Sequence, residues 1–293
     1  MILVDLSQTL MSVIFQNMKG GLNKELARSM IFMTLLSYKK QFGSKYGAPV
    51  LAIDSRNGYW RKDIFEYYKA SRAKSREESK LDWNAIFDIT NTVTEEIKEC
   101  LPWKCVQVNK AEADDVIGVL AMKYGDLPTL ILSSDKDYKQ LQYKKGVVQY
   151  SPIMKKWIKS SDPKKDLAEL ILTGDGGDGI PNIRSAEDSI VNGTRQLPIS
   201  EKFKLEFHEN PAKVYRDFKD RYLMNERLID FTKIPEHISE GILSEYDKPT
   251  NGSINKLYKL FVARKMPRML SDIELFKVKE QDYAICTEDS FFQ

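Results

Sequence analysis

Three short apolar runs, each delivering an aspartate, constrain this chain more than any other feature. Ile2-Leu3-Val4 ends on Asp5, Pro49 to Ile53 ends on Asp54, and Thr129 to Leu132 runs through two serines to Asp135. Runs this short and this continuously apolar read as strands buried on both faces, the pattern of a parallel sheet. Val106–Val108 reads as a further short strand. Between the runs, Leu26, Met30, Met33 and Leu36 recur at helical spacing within 22–42. Residues 112–124 read as a helix with its acids in the first turn, where the helix dipole favours negative charge. Strands alternating with helices predict an α/β fold. In such sheets functional groups gather beyond the carboxyl ends of the strands. One such aspartate alone reads more readily as a turn or N-cap residue. Three at three strand ends predict one acidic cleft.

After about Asp162 the pattern changes. Residues 164–172 form a short helical segment, followed by Thr173-Gly-Asp-Gly-Gly-Asp-Gly-Ile-Pro181. From Ser200 to Phe292 the chain is mostly helical in character. The pattern predicts a sheet domain over 1–180 and a smaller, mostly α-helical domain over 181–293. Composition narrows the class by exclusion. Among 293 residues, 45 basic side chains nearly balance 42 acidic ones, for a net charge of +3, so the distribution of charge must carry the argument. Cys100, Cys105 and Cys286 offer neither a disulfide framework nor a CxxC metal pattern, which fits a reducing, cytoplasmic setting. The opening MILVDLSQTLMSVIFQ lacks a basic leader, carries Asp5 and is too short to span a bilayer, so it reads as a first core strand and no membrane is expected. Two histidines, His208 and His237, and no GxSxG give little support to histidine-assisted nucleophilic catalysis.

The acids fall into clusters: Asp5; Asp54; Glu112, Asp114 and Asp115; Asp135 and Asp137; and, in the glycine-rich segment, Asp175 and Asp178. So many carboxylates cannot converge without a counter-ion, because like charges at close range raise one another's pKa. Hard oxygen donors with no Cys or His nearby suit Mg²⁺ or Mn²⁺ rather than Zn²⁺. Two such ions about 4 Å apart would serve both oxygens of a phosphodiester displacement. The glycines would let backbone approach a phosphate or a metal closely. GDGGDG read alone is also a flexible turn or a Ca²⁺ loop, but it lacks the spacing and terminal Glu of an EF-hand.

Residues 56–80 hold eight Lys/Arg against four Asp/Glu, with Tyr59, Trp60, Phe65, Tyr67 and Tyr68 interleaved. A second basic stretch, Lys155-Lys156-Trp157-Ile-Lys159, precedes the glycine-rich loop. Basic side chains neutralise phosphates, and aromatic faces stack on unpaired bases at about 1–3 kcal/mol each. The alternative is a solvated helix face whose aromatics enter the core. Directly downstream of Asp54, the nucleic-acid reading is preferred, with contacts at Arg56, Tyr59, Trp60, Arg61, Lys62, Lys69, Arg72, Lys74, Arg76, Lys155 and Lys156.

In order, IDSRNGYWRKDIFEYYKASRAKSREES, KAEADDVIGVLA, ILSSDKDYKQL, SPIMKKWIK and LTGDGGDGIP resemble the flap endonuclease/5′-3′ exonuclease superfamily, in particular its phage ribonuclease H branch. The resemblance covers nearly all of the chain to about Pro181 and continues more weakly through LIDFTKIPEHI. It implies a PIN-like α/β nuclease domain with a helical arch around 56–80, an appended helical DNA-binding domain, and two Mg²⁺. By motif, Asp5, Asp54, Glu112 and Asp114 would surround one ion. Asp135, Asp137 and Asp178 would surround the other, with Asp115 and Asp175 acting through water. Asp114 and Asp135 would lie close to both ions, and Lys69 and Arg72 would hold the scissile phosphate beneath the arch. Gly179 stands where relatives usually have Asn, and GIPNIRSAEDS lacks the usual Gly-Ile-Gly hairpin. That departure removes the ground for expecting a K⁺-stabilised duplex contact.

The resemblance implies a 5′-3′ nuclease that removes RNA primers and adjacent DNA from lagging-strand fragments and cuts 5′ flaps. Its substrates would be flapped, forked or nicked DNA and RNA–DNA hybrids, with a sliding clamp and a single-strand DNA-binding protein as further partners and a monomer as the default. Two other readings are an RNA-only PIN-like ribonuclease, which leaves the basic strip unused, and a non-catalytic DNA-binding replication protein, which the full set of acids disfavours. The acidic–aromatic tail 287–293 reads either as a terminus folded back on the helical domain or as a clamp-docking peptide.

Overall fold

The computed structural model describes residues 1–18, 21–279 and 281–284. Six strands form one sheet: β1 (Ile2–Asp5), β2 (Pro49–Ile53), β3 (Lys104–Gln107), β4 (Thr129–Leu132), β5 (Val147–Ser151) and β6 (Lys156–Ile158). Their order is β3-β2-β1-β4-β5-β6. The first five run parallel, and β6 returns antiparallel from β5 as a hairpin. Strand side chains alternate between faces. Ile2, Val4, Leu51 and Ile53 therefore enter one core while Met1, Leu3, Val50 and Ala52 enter the other. Each fully buried Leu or Ile contributes roughly 1.5–3 kcal/mol, so both faces of the central strands are committed to packing.

The first half of the chain supplies α1 (Leu6–Asn17), α2 (Lys24–Tyr46), α3 (Trp60–Ile64), α4 (Ser71–Glu77), α5 (Trp83–Cys100) and α6 (Ala113–Tyr124). The second half supplies α7 (Pro163–Thr173), α8 (Glu201–Glu209), α9 (Pro211–Ile229), α10 (Glu236–Asp247), α11 (Ile254–Ala263), α12 (Pro267–Ser271) and α13 (Gln281–Ala284). Side-chain N-caps set the starts: Asp5 accepts from Gln8 N at 2.9 Å, Asn23 from Leu26 N at 3.0 Å and Asp82 from Ala85 N at 3.0 Å. α1, α2, α5, α11 and α12 cover one face of the sheet, and α6 and α10 cover the other.

Fold class is as the sequence indicated, a mostly parallel α/β sheet followed by helices. Packing runs across the boundary expected between 180 and 181. Ile238, Ile242 and Tyr246 of α10 enter the core beneath α6, and Leu257 and Phe261 of α11 enter the core on the opposite face. Among the described residues, α7, α8 and α9 form further apolar clusters, which Phe65 and Tyr68 also enter. The reason is apolar area: the sheet faces need the late helices to close them. Several boundaries also differ. The opening strand stops at Asp5 and turns at once into α1; the third Asp-bearing strand stops at Leu132, leaving Ser133 and Ser134 extended; and the strand expected at 106–108 spans 104–107. The tail at 287–293 and Cys286 lie outside the described residues. Among the described residues no helix is long and apolar enough to cross a membrane.

β1 lies between β2 and β4. The chain leaves β1 toward β2 and β3, then returns to β4 and continues outward to β5. The carboxyl ends of β1 and β4 therefore flank the point where the winding reverses, the place where an open α/β sheet leaves a crevice.

Candidate active site

Asp5, Asp135 and the acids of 112–115 stand at the starts of helices, where unpaired backbone N–H groups and the dipole favour negative charge, whereas Asp175 and Asp178 follow the end of α7. Asp5 caps α1. Asp135 caps a 3-10 helix over Lys136–Tyr143, accepting from Asp137 N at 3.0 Å. Glu112 precedes α6, whose first turn holds Asp114 and Asp115. Asp54 is tied to the same helix, its Oδ1 accepting from Ala113 N at 2.8 Å while Oδ2 accepts from Ser7 Oγ at 2.5 Å. Gln107 Nε2 donates to Asp54 O at 2.7 Å and so links the ends of β2 and β3.

Their electrostatics divide them into two overlapping sets. Burial pushes the Asp5 carboxyl up to about 7, and Asp54 and Asp135 add to the rise although Gln8 N–H opposes it. Burial holds Asp114 well above the usual carboxylate range, reinforced by Asp5 and Asp135. On the other side, burial raises Asp137 well above its usual value, and Asp135, Asp175 and Asp178 reinforce the shift. Asp135 is itself raised by burial and by Asp178 and Asp175, against the bond from Asp137 N–H. One set is Asp5, Asp54, Asp114 and Asp135 with Glu112 beside it. The other is Asp135, Asp137, Asp175 and Asp178. Asp135 belongs to both.

Two cations from the basic strip reach these sets. Lys69 Nζ bonds Glu112 Oε1 and lies 3.5 Å from Asp178 Oδ2. Arg72 Nη2 meets Asp178 Oδ1 at 2.6 Å. Burial alone would raise the Glu112 pKa, but Lys69 and Arg61 outweigh it and hold the carboxyl below the usual range. Burial likewise acts to lower the Lys69 pKa, and Glu112 and Asp178 outweigh it and hold the ammonium protonated. Two tyrosines invisible to a search for acids complete the cluster. Tyr68 Oη lies 2.8 Å from Glu112 Oε2 and 2.9 Å from Asp178 Oδ2, and Tyr138 Oη donates to Asp114 Oδ1.

Three expected site residues lie inside the protein. Trp60 and Arg61, read as nucleic-acid contacts, are buried: Trp60 Nε1 donates to Asp115 Oδ2 at 3.0 Å, and Arg61 pairs with Glu112 and Asp115. The apolar indole face and the two buried acids draw both side chains inward. Asp115, read as a metal ligand acting through water, is fully buried, with Oδ2 accepting from Glu112 N at 2.9 Å. Both of its oxygens are engaged there, Oδ1 with Arg61 and Oδ2 with Trp60 and Glu112 N.

The region read as an arch divides. α3 and the turn carrying Tyr68 pack into the protein, whereas α4 is exposed or half-exposed along its length. Between α4 and α5 lies an open cavity of about 780 Å³ whose walls include Asp54, Arg56, Tyr59, Arg72, Trp83 and Phe87. Arg76 also lines it, its guanidinium 5.8 Å from the Phe87 ring. Lys74 and Lys62 are exposed nearby, Lys62 with its ammonium 6.0 Å from the Tyr59 ring. Lys155 and Lys156 lie at the β5–β6 turn, on the carboxyl edge that holds Asp135; there Ser134 and Ser151 hydroxyls meet at 2.6 Å. Trp83 and Phe87 were missed in the sequence, although the apolar spacing of Ile86, Ile89, Val93 and Ile97 marks their helix.

Comparison with known proteins identifies the family. The family described as 5′-3′ exonuclease, N-terminal resolvase-like domain, matches residues 1–169, and the one described as T4 RNase H, C terminal, matches residues 161–276. Ribonuclease H of Enterobacteria phage T4 is 33% identical over 289 residues, covering 94% of this chain and 95% of its own. A 5′-3′ exonuclease of Mycoplasmopsis pulmonis is 25% identical over 227 residues, covering 68% of this chain and 73% of its own. The bacteriophage T5 flap endonuclease, solved as a complex with DNA and metal ions, superposes with a TM-score of 0.61 at 14% identity, over 84% of this chain and 99% of that one, a likeness of fold. The chain therefore belongs to the 5′-3′ exonuclease family, alongside phage T4 ribonuclease H, and is a nuclease.

Proposed function

We propose that this nuclease is divalent-metal-dependent, removes RNA primers and adjoining DNA during lagging-strand replication, and cuts 5′ flaps. The observation that carries the reading is the pair of carboxylate sets sharing Asp135, with Lys69 and Arg72 bonded into their rim. Among the described residues no three acids already converge closely enough to hold an ion. The donor set nevertheless fits one. It is all oxygen, mutual repulsion keeps its buried members from ionising together, and Asp137 Oδ1 is buried without a hydrogen-bond partner. Asp5, Asp54, Glu112 and Asp114 would hold one Mg²⁺ or Mn²⁺, and Asp135, Asp137 and Asp178 the other, with Asp175 reaching through water. Bound there, the ions would supply Lewis acidity to the attacking and leaving oxygens of the phosphodiester.

The chain's own residues do the rest. Lys69 and Arg72 exchange their carboxylate partners for the scissile phosphate and neutralise its developing charge. Tyr59, Trp83 and Phe87 stack unpaired bases in the cavity beside Asp54, while Arg56 and Arg76 meet the backbone. Lys62 and Lys74, and at the far rim Lys155 and Lys156, add phosphate contacts. A cleft bounded by α4 and α5 suits a single strand with a free 5′ end better than duplex interior, which supports flap and primer substrates. The test is incubation with a labelled RNA–DNA hybrid and a 5′-flap DNA, with Mg²⁺ or with chelator. Metal-dependent cutting is expected on both, and its absence on both would sink the reading.

A further inference from the structure

The three residues Leu228, Ile229 and Phe231, where α9 ends, are held by Arg61, which also pairs with Glu112, and by Gln140, which shares a 3-10 helix with Asp137. Arg61, only 4% exposed, donates from Nε to Leu228 O at 2.8 Å while its Nη1 lies 2.9 Å from Glu112 Oε2 and 2.8 Å from Asp115 Oδ1. Gln140, on the 3-10 helix that begins beside Asp137, donates from Nε2 to Ile229 O at 3.1 Å and accepts from Phe231 N at 3.0 Å. Phe231 stacks on Tyr138 at 5.9 Å, and Tyr138 donates to Asp114. Gly118 of α6 makes room for that ring, since a Cβ there would meet Phe231 Cγ at 2.9 Å.

Carbonyls at the end of a helix lack intrahelical partners, and water usually satisfies them. Here two of them are satisfied by Arg61, which also pairs with Glu112 and Asp115, and by Gln140, three residues beyond Asp137 on the same 3-10 helix. A buried guanidinium is costly to desolvate and is tolerated only where its geometry is good. Arg61 has no substrate-facing surface, so its contacts define what it does. α9 and α8 meanwhile present Lys202, Lys213, Arg216 and Lys219 to solvent.

We propose that Arg61 and Gln140 are positioning residues that fix the two halves of the acidic cluster onto the end of α9, so that the seat of the helical unit and the geometry of the cluster form one coupled state. The proposal rests on the metal-dependent nuclease reading. Partners that orient metal-binding residues typically change metal affinity or activity about 10–100-fold when removed.

The experiment compares wild type, Arg61→Lys, Gln140→Met and the double variant. It records kcat and KM on a 5′-flap DNA against Mn²⁺ concentration, the rise in melting temperature caused by Mn²⁺, and flap binding in chelator by fluorescence anisotropy. Each single variant is expected to lower kcat about 10–100-fold, to raise the Mn²⁺ needed for half-maximal rate, and to reduce the Mn²⁺-induced melting shift. KM and flap binding should stay within about twofold of wild type, as for a loss confined to the chemical step. Because both side chains grip one junction, the double variant should lose less than the product of the single losses. Losses that appear only in KM or in flap binding, losses that multiply, or wild-type kcat in both variants would overturn the proposal. Gln140→Met removes no buried charge and carries the test if Arg61→Lys does not fold. If wild type itself cuts nothing, the nuclease reading fails, while the Mn²⁺ melting shifts still read the positioning claim.

Discussion

Lys69 occupies a left-handed backbone conformation, φ 55°, which an L-residue adopts at a cost of about 1–3 kcal/mol. Its N–H donates to Asp178 O at 2.7 Å, so the strained residue is fastened to the loop that carries one carboxylate set while its ammonium reaches Glu112 of the other. Asp135 plays the matching part among the acids, its charge raising Asp5 and Asp114 on one side and Asp137 on the other. Asp135→Asn is therefore expected to lower turnover at least about 10³-fold while leaving binding of flap DNA in chelator within a few-fold of wild type. A single-turnover assay beside a binding titration checks it, and a near-normal rate would show that the assignment of acids is wrong. Lys69→Ala should reduce kcat about 10²-fold and KM little, as for a group acting on developing charge; an effect confined to KM would argue against that role. Most of these residues were legible in the sequence because acids at strand ends are uncommon enough to stand out. Tyr68 and Tyr138 were not, since nothing in a tyrosine's local pattern tells whether its hydroxyl will meet solvent or a buried acid.

The loop over 174–181 acts through its backbone. Gly179 has φ +76°, and a Cβ at that position would lie 2.7 Å from Tyr67 O. Glycine here thus permits the contact between Asp178 O and Lys69 N that fastens the turn carrying Lys69, an outcome hidden when Gly179 is read only as a departure from a family's usual Asn. Gly179→Ala should destabilise the protein by about 1–2 kcal/mol and lower kcat more than KM, measured by melting temperature and steady-state kinetics. Unchanged kcat would show that the close approach does not position Lys69. Other elements were legible in proportion to their periodicity. The runs at 2–5, 49–53 and 129–132 stand out because both faces are apolar. β5 and β6 do not, because Val147–Ser151 mixes buried and half-buried positions and Lys156–Ile158 lies at the exposed edge of the sheet. The basic run at 155–159 is legible as charge, but only pairing with β5 makes it a hairpin beside Asp135.

Across the whole molecule, the acidic cleft sets function against stability. A carboxyl whose folded pKa is raised favours the folded state when protonated; its contribution is full below the unfolded value of 3.8 and is lost as pH rises through about 7 for Asp5. Glu112 shifts the other way, but its contribution is lost only as pH falls below the ordinary carboxylate range, outside the window from 6 to 8. The metal-free protein should therefore melt at a lower temperature at pH 8 than at pH 6, and Mg²⁺ should remove most of the difference. In chelator at pH 8, Asp137→Asn should raise the melting temperature by several degrees; a profile that is flat with pH and indifferent to metal would show that the acids do not repel one another. The sequence by itself determined the fold class, the strands that end in aspartate and the inventory of acids, because apolar runs and charges are local properties of a chain. Tertiary structure decided which acids share a set, that Trp60, Arg61 and Asp115 support the site from within, and that the late helices close the sheet rather than stand apart. Those outcomes depend on strand order and on competition for buried area between residues far apart in the chain. No local pattern encodes which of two apolar faces will be covered, or which buried charge will find its partner there.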